Sequence, residues 1–419
     1  MRKMKDSGVT WLESIPETWN LLQLGSLFSE HKHKNVGMQS SNLLSLSYGK
    51  IIRKNINATD GLLPESFEGY NVIDAGDIVL RLTDLQNDQR SLRVGLCGER
   101  GIITSAYTTL RRRNDALNSK YFYYLLHSYD IRKGFYGMGA GVRQGLNYAG
   151  VRKIMLTVPL ESEQTAIAEC LDKKTAQVDA LIANVQEQIE KLKVYKQSLI
   201  TEVVTKGLDP NAPMKDSGVE WIGEIPVSWK TIRVKQLLRE RKERSVDGKE
   251  EPLSMSQKVG LVPTKMLDMI PNMASSFVGA KLAYVDDLVF NKLKAHLGVF
   301  SVSKYDGLVS PDYAVYYSTG IIDLKYLEYL FKTPQCISEF RKRSTGIAAG
   351  LTRLYTDDLF AIECPMPSKD EQIEIVLFLN EKCAQIDELM SLKQTKIEKL
   401  EQYKRSLIYE YVTGKKEVS

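Results

Sequence analysis

The chain has 419 residues, of which 43% are hydrophobic and 26% are charged, and its formal net charge is only +5. This length exceeds one core of ordinary size and predicts two or more domains, while the small net charge excludes a uniformly basic nucleic-acid-binding protein. The five cysteines form no CxxC pair, so we expect neither a disulfide framework nor a zinc site, as suits a reducing cytoplasm. No run approaches the roughly 20 apolar residues of a membrane span, and we expect a cytoplasmic protein without a membrane partner.

The first clear segment of the chain returns in its second half. Residues 4–20 read MKDSGVTWLESIPETWN and residues 214–230 read MKDSGVEWIGEIPVSWK, with ten of the seventeen positions identical. The identical positions include Trp19 and its counterpart Trp229. Duplication of a whole unit is therefore the primary feature of the predicted fold.

Behind each copy of this segment lies a stretch that differs in sequence but keeps the order of its predicted elements. Short β-rich runs fill residues 21–157 and precede a helix over 120–128, and residues 231–365 repeat this order with a helix over 325–331. Strands with interspersed helices are typical of mixed α/β domains. We therefore predict an α/β fold with one mixed α/β domain in each half.

A long amphipathic helix follows each domain. In residues 163–205 hydrophobic side chains recur every seven positions, and the stretch recurs without a gap 208 residues later, at 371–413. Such a stripe is typical of a helix that lies against another helix, and we predict that the two copies pair as an antiparallel coiled coil. The residues predicted to pack are Leu171, Val178, Leu181, Val185, Leu192 and Leu199 in the first copy, and Leu379, Ile386, Leu389, Leu400 and Leu407 in the second.

The repeats divide the chain into four consecutive segments. They are a first domain (1–157), a first helix (158–206), a linker with a second domain (207–365), and a second helix (366–419). The chain starts and ends where a second linker would lie, so it is organised like an opened ring with pseudo-two-fold symmetry. We expect its termini to lie near each other.

The strongest enzyme signal is a PD…DxK pattern, formed by Asp312 and by Asp323 with Lys325, which resembles a metal-dependent nuclease. Two carboxylates and a lysine could hold Mg²⁺ and activate a water. The first half has Asn118 at the position of Asp323, and asparagine and aspartate are interchangeable as helix caps but not as metal ligands. Capping therefore explains both copies, and we predict no catalytic residue and no metal site.

Basic residues cluster at corresponding places in the two domains. Seven arginines lie between residues 81 and 113, and lysines and arginines follow the equivalent strand and helix of the second half. Such side chains neutralise phosphates, and arginine can read guanine edges. The residues predicted to contact DNA are Arg81, Tyr107, Arg111, Arg112 and Arg143 in the first half, and Lys292, Lys294, Tyr313, Arg343 and Arg353 in the second.

Taken together, these features resemble the specificity (S, or HsdS) subunit of Type I restriction-modification systems over essentially the whole chain. The resemblance rests on MKDSGVEWIGEIPVSW at 214–229 and its N-terminal twin, on the P-x-x-x-E-Q turns at 159–164 and 367–372, and on helices ending in YKQSLI and YKRSLI. These marks occur in the same order twice, which is more specific than any one of them.

The resemblance implies a sequence-specific DNA-binding subunit without catalytic activity. Its two target-recognition domains would each read one half of a bipartite double-stranded DNA site, and the helices would set the spacer and dock two modification (methyltransferase) subunits. It also implies assembly with restriction subunits, and no cofactor of its own, with S-adenosylmethionine, ATP and Mg²⁺ on the partner subunits. The residues alone also allow a coiled-coil scaffold whose two α/β domains bind protein, and a Mg²⁺-dependent nuclease at Asp312 and Asp323.

Overall fold

The structure is a computed structural model that describes residues 2–57, 64–85, 88, 90–138, 145–257, 259–267, 277–348 and 351–418. Its contacts divide the chain into two compact units. Unit 1 is Met1–Gln186 with Gln394–Ser419, and unit 2 is Glu187–Lys393. Each unit therefore contains one α/β domain and one half of each long helix.

The elements of the first half of the chain are short, apart from one long helix. Its strands are β1 (Met4–Asp6), β2 (Ser14–Pro16), β3 (Asn20–Gln23), β4 (Phe28–Glu30), β5 (Leu44–Ser47), β6 (Lys50–Arg53), β7 (Asn71–Ile73), β8 (Ile78–Leu80), β9 (Val94–Leu96), β10 (Gly101–Ile103), β11 (Thr108–Arg112) and β12 (Met155–Val158). Its helices are α1 (Leu24–Leu27), α2 (Ser119–Ile131), α3 (Tyr148–Val151) and α4 (Glu161–Lys206).

The second half repeats this order. Its strands are β13 (Met214–Asp216), β14 (Glu224–Pro226), β15 (Lys230–Arg233), β16 (Leu238–Glu240), β17 (Leu253–Ser256), β18 (Gly260–Pro263), β19 (Lys281–Ala283), β20 (Leu288–Asn291), β21 (Phe300–Val302), β22 (Gly307–Val309), β23 (Tyr313–Ser318), β24 (Thr345–Ala348), β25 (Leu351–Arg353) and β26 (Glu363–Met366). Its helices are α5 (Val234–Leu237), α6 (Leu324–Phe331), α7 (Pro334–Arg343), α8 (Thr356–Phe360) and α9 (Lys369–Val412), with 3-10 turns at Thr264–Met266 and Ala295–Leu297.

The domain of unit 1 is built on an antiparallel sheet of four strands in the order β4-β11-β8-β9. Successive side chains of β8 face opposite sides of the sheet, as the pleat requires. Ile78 and Leu80 belong to the main core of the unit, while Val79 packs with Leu44 and Ile73 in a smaller cluster on the other side. Both faces are covered, so all three residues of this strand are buried.

The domain of unit 2 repeats the sheet as β16-β23-β20-β21. Leu288 and Phe290 belong to its main core, and Val289 faces a smaller cluster with Leu253. The predicted mixed α/β content is thus present in both halves, on the same sheet topology.

The two long helices run in opposite directions within each unit. In unit 1, Tyr411 hydrogen-bonds to Cys170 and Lys404 pairs with Asp179 at 2.6 Å, so the residue number rises along α4 as it falls along α9. In unit 2, Lys196 pairs with Asp387 at 2.6 Å, and Lys393 donates to Gln188 at 2.5 Å, in the same antiparallel sense.

Most of the predicted packing residues are buried or partly buried, and we call the stripe that they form along the two helices the seam. Buried side chains are those of Leu171, Val178, Val185, Leu379, Ile386 and Leu407, and Leu192, Leu199 and Leu400 are partly buried.

The prediction is wrong for Leu181 and Leu389, which are 52% and 42% exposed. A helix with one partner buries about two of every seven positions. On α4 those positions are taken by the series through Val178 and by the series through Thr175, which is 7% exposed. Leu181 and its counterpart Leu389, 208 residues later, therefore lie on the flank of the seam.

The C-terminal end of the chain packs on the N-terminal segment within unit 1. Lys415 pairs with Glu13 at 2.5 Å, and the Tyr409 hydroxyl donates to the backbone oxygen of Trp11 at 3.2 Å. The predicted proximity of the two ends is confirmed. Among the described residues, no helix combines the length and apolar character needed to cross a membrane.

Candidate nucleic-acid interface

The repeated tryptophans fasten the start of each domain to a long helix. The Trp19 Nε1–H donates to Glu163 Oε2 at 2.9 Å, and the Trp229 Nε1–H donates to Glu371 Oε1 at 3.2 Å. Both tryptophans are 1% exposed. The glutamates of the two E-Q turns are therefore structural anchors.

A buried tyrosine makes a second repeated contact. The Tyr121 hydroxyl donates to the backbone oxygen of Val412 at 3.0 Å, and the Tyr326 hydroxyl donates to that of Val204 at 2.9 Å. Each tyrosine lies near the start of its domain helix and reaches the last turns of a long helix of the same unit. The pKa of both hydroxyls is raised by burial, so they stay protonated as donors.

The glutamines of the E-Q turns hold the start of the same domain helices. Gln164 Oε1 accepts the backbone N–H of Asn118 at 2.9 Å, and Gln372 Oε1 accepts that of Asp323 at 2.7 Å. These contacts, together with those of the tryptophans and tyrosines, explain why the flanking segments are copied while the domains differ. We call this set of repeated contacts the frame.

The two carboxylates of the PD…DxK pattern have different partners. The Asp323 carboxylate caps α6 by accepting the N–H groups of Lys325 at 2.7 Å and Tyr326 at 3.0 Å. Asp312 instead pairs with Arg353 at 2.7 Å. Within the described residues no group of three or more His, Cys, Asp or Glu side chains could hold a metal ion. The geometry favours the capping interpretation.

Among the predicted DNA contacts of unit 1, Arg111 has an intramolecular role. Its guanidinium donates to Asp77 at 2.8 and 2.6 Å and to Asp74 at 2.8 Å. The hydrogen bonds and charge of these carboxylates, Asp77 above all, raise the pKa of Arg111, while burial acts the other way. With its charge balanced by two acids, Arg111 is poorly suited to bind a phosphate. Sequence reasoning missed this because both acids lie more than 30 positions away in the chain.

The structure separates Arg81 from Arg112. Arg81 directly follows Leu80, which pairs with Thr108 at one end of β11, whereas Arg112 lies at the other end of that strand. Arg112 lines a cleft of about 280 Å³ beside the start of α4 and pairs with Asp115 at 2.9 Å. The two arginines therefore lie at opposite ends of the same strand pair.

The remaining predictions for unit 1 concern the end of the sheet that carries Arg81. Its side chain lies 3.5 Å from Asp88 and is 30% exposed. Tyr107 is partly buried against the cluster that contains Leu44, and Arg143 lies outside the described residues.

In unit 2 the structure brings basic residues from several elements together. The loop after β20 carries Lys292, Lys294 and His296, and its Lys292 oxygen accepts the N–H of Leu354 at 3.0 Å. The Thr352 hydroxyl lies 3.4 Å from His296 Nδ1, and α7 packs on the turn Ala295–Leu297. The loop, α7 and the paired strands β24 and β25 thus form one region.

Two further cations adjoin this region that the sequence did not single out. Lys281 on β19 donates to the backbone oxygen of Tyr313 at 2.6 Å. Arg244 faces Lys281 in an antiparallel bridge. Burial and the charges of Lys292 and Arg244 lower the pKa of Lys281. We define the basic patch of unit 2 as Arg244, Lys281, Lys292, Lys294 and Arg353. Sheet pairing creates this proximity, and no local sequence signal predicts it.

The other predicted residues of unit 2 differ in exposure. Arg343 ends α7, is 38% exposed and lies 3.5 Å from Glu339. Arg353 is 25% exposed and is paired with Asp312. Tyr313 packs partly buried against a small core cluster, and burial raises the pKa of its hydroxyl. DNA contact by these residues stays a prediction.

The chain is similar to known proteins along nearly its whole length. It is 22% identical over 422 residues to the Type I restriction enzyme MjaVIII specificity subunit of Methanocaldococcus jannaschii, covering 96% of this chain and 93% of that protein. It is 22% identical to the Type I restriction enzyme EcoDI specificity subunit of Escherichia coli, covering 62% of each. No family model matches the sequence.

Solved structures agree on the fold. A chain from a structure on complex assembly and conformational transition of the type I R-M system superposes with a TM-score of 0.69 at 15% identity, over 95% of this chain and 98% of that one. The HsdS subunit from Thermoanaerobacter tengcongensis superposes with a TM-score of 0.52 at 14% identity, over 96% of this chain and 98% of that one. The predicted resemblance of this chain to the specificity subunits of Type I restriction-modification systems is thereby confirmed.

Proposed function

We propose that this chain recognises DNA sequence for a Type I restriction-modification complex and has no catalytic activity itself. The observation that carries the proposal is the end-to-end similarity to specificity subunits. In this chain the copied residues form the frame, and the residues that differ between the halves form two α/β domains. Methylation and cleavage, with S-adenosylmethionine, ATP and Mg²⁺, would then belong to partner subunits in the cytoplasm.

Each domain would read one half of a bipartite double-stranded DNA site. Specific reading requires side chains of a variable surface on a constant support, because phosphate contacts position a protein and base contacts specify the sequence. The basic patch of unit 2 and the loop of unit 1 that begins at Arg81 are the surfaces that suit this role. They follow corresponding strands, β20 and β8, in the two domains.

The helices would form an antiparallel coiled coil that separates the two domains and sets the spacer between half-sites. The two helices have 46 and 44 residues, which at 1.5 Å per residue gives about 69 and 66 Å. Adding one turn to both helices, between 186 and 187 and between 393 and 394, lengthens them by about 5.4 Å. We expect the spacer in the methylated sequence to grow by about one to two base pairs, since each base pair occupies about 3.4 Å. An unchanged spacer would contradict the proposal that the helices set the distance between the half-sites.

The exposed apolar residues of the helices suit the docking of two modification subunits. Leu181 and Tyr403 are 52% and 53% exposed in unit 1, and Leu389 and Tyr195 are 42% and 57% exposed in unit 2. The Asp179–Lys404 pair puts Leu181 nearly level with Tyr403, and Lys196–Asp387 does the same for the other two. The same leucine–tyrosine combination at pseudo-symmetric places fits two copies of one partner.

Docking can be tested with charge insertions in one unit at a time. Leu181→Glu should remove one modification subunit from the complex, because a carboxylate would be buried in an apolar contact. Ala183→Glu is the control, since its exposed side chain points about 200° away around the helix. Complex mass would be measured by light scattering. An unchanged two-subunit stoichiometry for Leu181→Glu and for Leu389→Glu would refute the docking surface.

The function as a whole is tested by mapping methylated adenines in host DNA with and without this gene. We expect one bipartite motif to disappear on deletion. Salt-sensitive binding of the complex to duplex DNA should accompany it, because phosphate neutralisation releases counterions. Persistence of every motif, with salt-insensitive binding to a protein instead, would establish the scaffold alternative.

A further inference from the structure

The loop between β8 and β9 of unit 1 is folded around a buried arginine. Arg93 ends this loop and is 0% exposed. Its Nη1 donates to the backbone oxygens of Arg81 at 3.2 Å and Thr83 at 2.7 Å, and its Nη2 donates to those of Asp84, at 3.2 Å, and Asp88. Four acceptors thus come from one loop.

The fifth donor of the guanidinium is also satisfied. Arg93 Nε donates to the Tyr136 hydroxyl at 3.1 Å, and the guanidinium lies 5.1 Å from the centre of that ring. An arginine has five N–H donors, and a buried charge is tolerated only when such groups are paired. Arg93 therefore acts as a polar core for the loop.

Contacts with the end of α2 hold this arrangement in place. The backbone N–H of Arg93 donates to the buried Asp130 carboxylate at 2.6 Å. Asp130 and Tyr136 lie at and just after the end of α2, whose first residues are held through Asn118 by Gln164 of α4. The backbone of the loop is thus connected to the frame by a short series of hydrogen bonds.

Unit 2 has the same loop position without the arginine. The Arg81 N–H donates to the Arg93 oxygen at 2.9 Å, and at the matching place the Asn291 N–H donates to the Val299 oxygen at 3.0 Å. The loop of unit 2 is shorter, and Val299 is buried with an apolar side chain. Four of the acceptors of Arg93 are backbone oxygens of this longer loop, so Arg93 belongs to what is particular to the loop of unit 1.

We propose that Arg93 is the positioning residue for sequence reading by unit 1, and that it fixes the loop backbone at Arg81, Thr83, Asp84 and Asp88 without touching DNA. The inference rests on the proposed function. The loop carries Arg81 and the exposed Arg90, and it corresponds to the loop of unit 2 that contributes to the basic patch. In both units a later segment of the chain also hydrogen-bonds to the start of this loop. The Leu146 N–H donates to the Leu82 oxygen at 2.9 Å, and the Leu354 N–H donates to the Lys292 oxygen at 3.0 Å.

The test compares discrimination at the two half-sites by the assembled modification complex. The variants are Arg93→Met, which keeps an unbranched side chain but no donor, and Arg93→Lys, with Val299→Met as the matched control in unit 2. Binding would be measured for the methylated motif of the wild type and for duplexes altered in one half-site. We expect Arg93→Met to reduce discrimination at the half-site of unit 1 at least tenfold, with less loss for Arg93→Lys, and to leave discrimination at the other half-site unchanged.

Other outcomes separate the possibilities. Equal discrimination by wild type and Arg93→Met at both half-sites would overturn the proposal, and an equal loss at both half-sites would do the same, since it would indicate a general structural role. If neither arginine variant assembles, the test uses Tyr136→Phe, which removes one of the five acceptors of Arg93. We expect about a threefold loss of discrimination at the half-site of unit 1, and unchanged discrimination there would overturn the proposal. A wild-type complex without any bipartite motif would instead refute the proposed function.

Discussion

Units 1 and 2 keep the same buried carboxylate in the same turn but pair it with arginines from different strands. Asp77 and Asp287 each accept a backbone N–H at 2.9 Å from the residue three positions earlier. In unit 1 the partner is Arg111 of β11, and in unit 2 it is Arg241, which follows β16, at 2.7 and 2.8 Å.

The two places that can supply the arginine correspond between the units. The backbone N–H of His31 donates to the Thr109 oxygen at 2.8 Å, and that of Arg241 donates to the Val315 oxygen at 2.8 Å. His31 and Arg241 therefore occupy corresponding positions in the two units. In the same way Arg111 pairs across the sheet with Ser29, and Tyr317 pairs with Arg239. An arginine and an aromatic ring have exchanged strands.

This exchange shows which parts of the repeat are physically constrained. A carboxylate that is 3 or 4% exposed requires a cation, and in the two units an arginine at either of two places supplies it. The frame contacts, by contrast, each have one donor and one acceptor at fixed places in both copies. The sequences of the two α/β domains can therefore diverge as long as buried charges stay paired. Divergence is restricted where each domain contacts the long helices.

Breaking the frame should have the largest effect, and the effect should be equal in the two units. Trp19→Ala and Trp229→Ala each remove a side chain that is 1% exposed and a hydrogen bond to a glutamate, and we expect each to cost about 4 kcal/mol of the free energy of unfolding. Urea unfolding followed by circular dichroism measures this. Trp→Phe at the same positions is the control and should cost less, and a cost confined to one unit would contradict the equivalence of the two frames.

Breaking the exchanged ion pair should cost somewhat less. Arg111→Leu leaves Asp77 buried without its main partner, and we expect a loss of about 3 kcal/mol, at the low end for such pairs because Arg111 is 35% exposed.

The rescue of this variant gives the sharper test. His31→Arg with Arg111→Tyr places the residues of unit 2 into unit 1 and should restore the free energy of unfolding to within about 1 kcal/mol. The reverse double change, Arg241→His with Tyr317→Arg, is the matched control. If the double variant is no more stable than Arg111→Leu, the two strand positions are not equivalent.

The frame and the order of elements could be predicted from the sequence because they depend on patterns that occur twice. The heptads of 163–205 and 371–413 located the helices and most of their seam. The seam was wrong at Leu181 because periodicity alone does not say how wide the covered stripe is, and width depends on how many helices pack against it.

The candidate site could be predicted only in part. The sequence pointed to the arginines of 81–113, yet Arg93 is buried and Arg111 is paired internally. Charge in a sequence does not reveal whether a distant carboxylate or a set of loop carbonyls surrounds it. Lys281 and Arg244 were missed for the converse reason, since sheet pairing brings them together from distant positions in the chain.

Buried acids in the two domains should respond to pH in opposite directions. Asp130 accepts the Arg93 N–H at 2.6 Å, and Glu328 accepts the Val302 N–H at 3.3 Å. Burial raises the pKa of Asp130 to about 6. Burial would raise that of Glu328 too, but the charges of its neighbouring lysines, Lys332 and Lys325, lower it below its ordinary value.

The stabilisation that Asp130 gives in its protonated form is complete below pH 3.8 and is lost as the pH rises to about 6. Asp130→Asn should therefore gain in free energy of unfolding over the wild type between pH 4 and pH 7, by up to about 3 kcal/mol. Glu328→Gln should lose relative to the wild type over the same range, because an acid with a lowered pKa stabilises the fold above its unfolded pKa. Urea unfolding at several pH values measures both, and parallel curves for the two variants would contradict the assignment.

The smallest effects are expected at the helix caps, where the two units differ by a single atom type. Asn118 and Asp323 each accept two backbone N–H groups at the start of a domain helix, and either residue type can do so. Asn118→Asp and Asp323→Asn should each change the free energy of unfolding by less than about 0.5 kcal/mol, while alanine at either position should cost about 1 kcal/mol. The comparison also separates capping from metal binding, because a carboxylate ligand cannot be replaced by an amide without loss of Mg²⁺ affinity. If Mg²⁺ raised the stability of the wild type and not of Asp323→Asn, Asp323 would be a metal ligand and the nuclease interpretation would stand. If the unfolding curves of both proteins were the same with and without Mg²⁺, the Asp323 carboxylate would be a helix cap, equivalent to the Asn118 amide of the first unit.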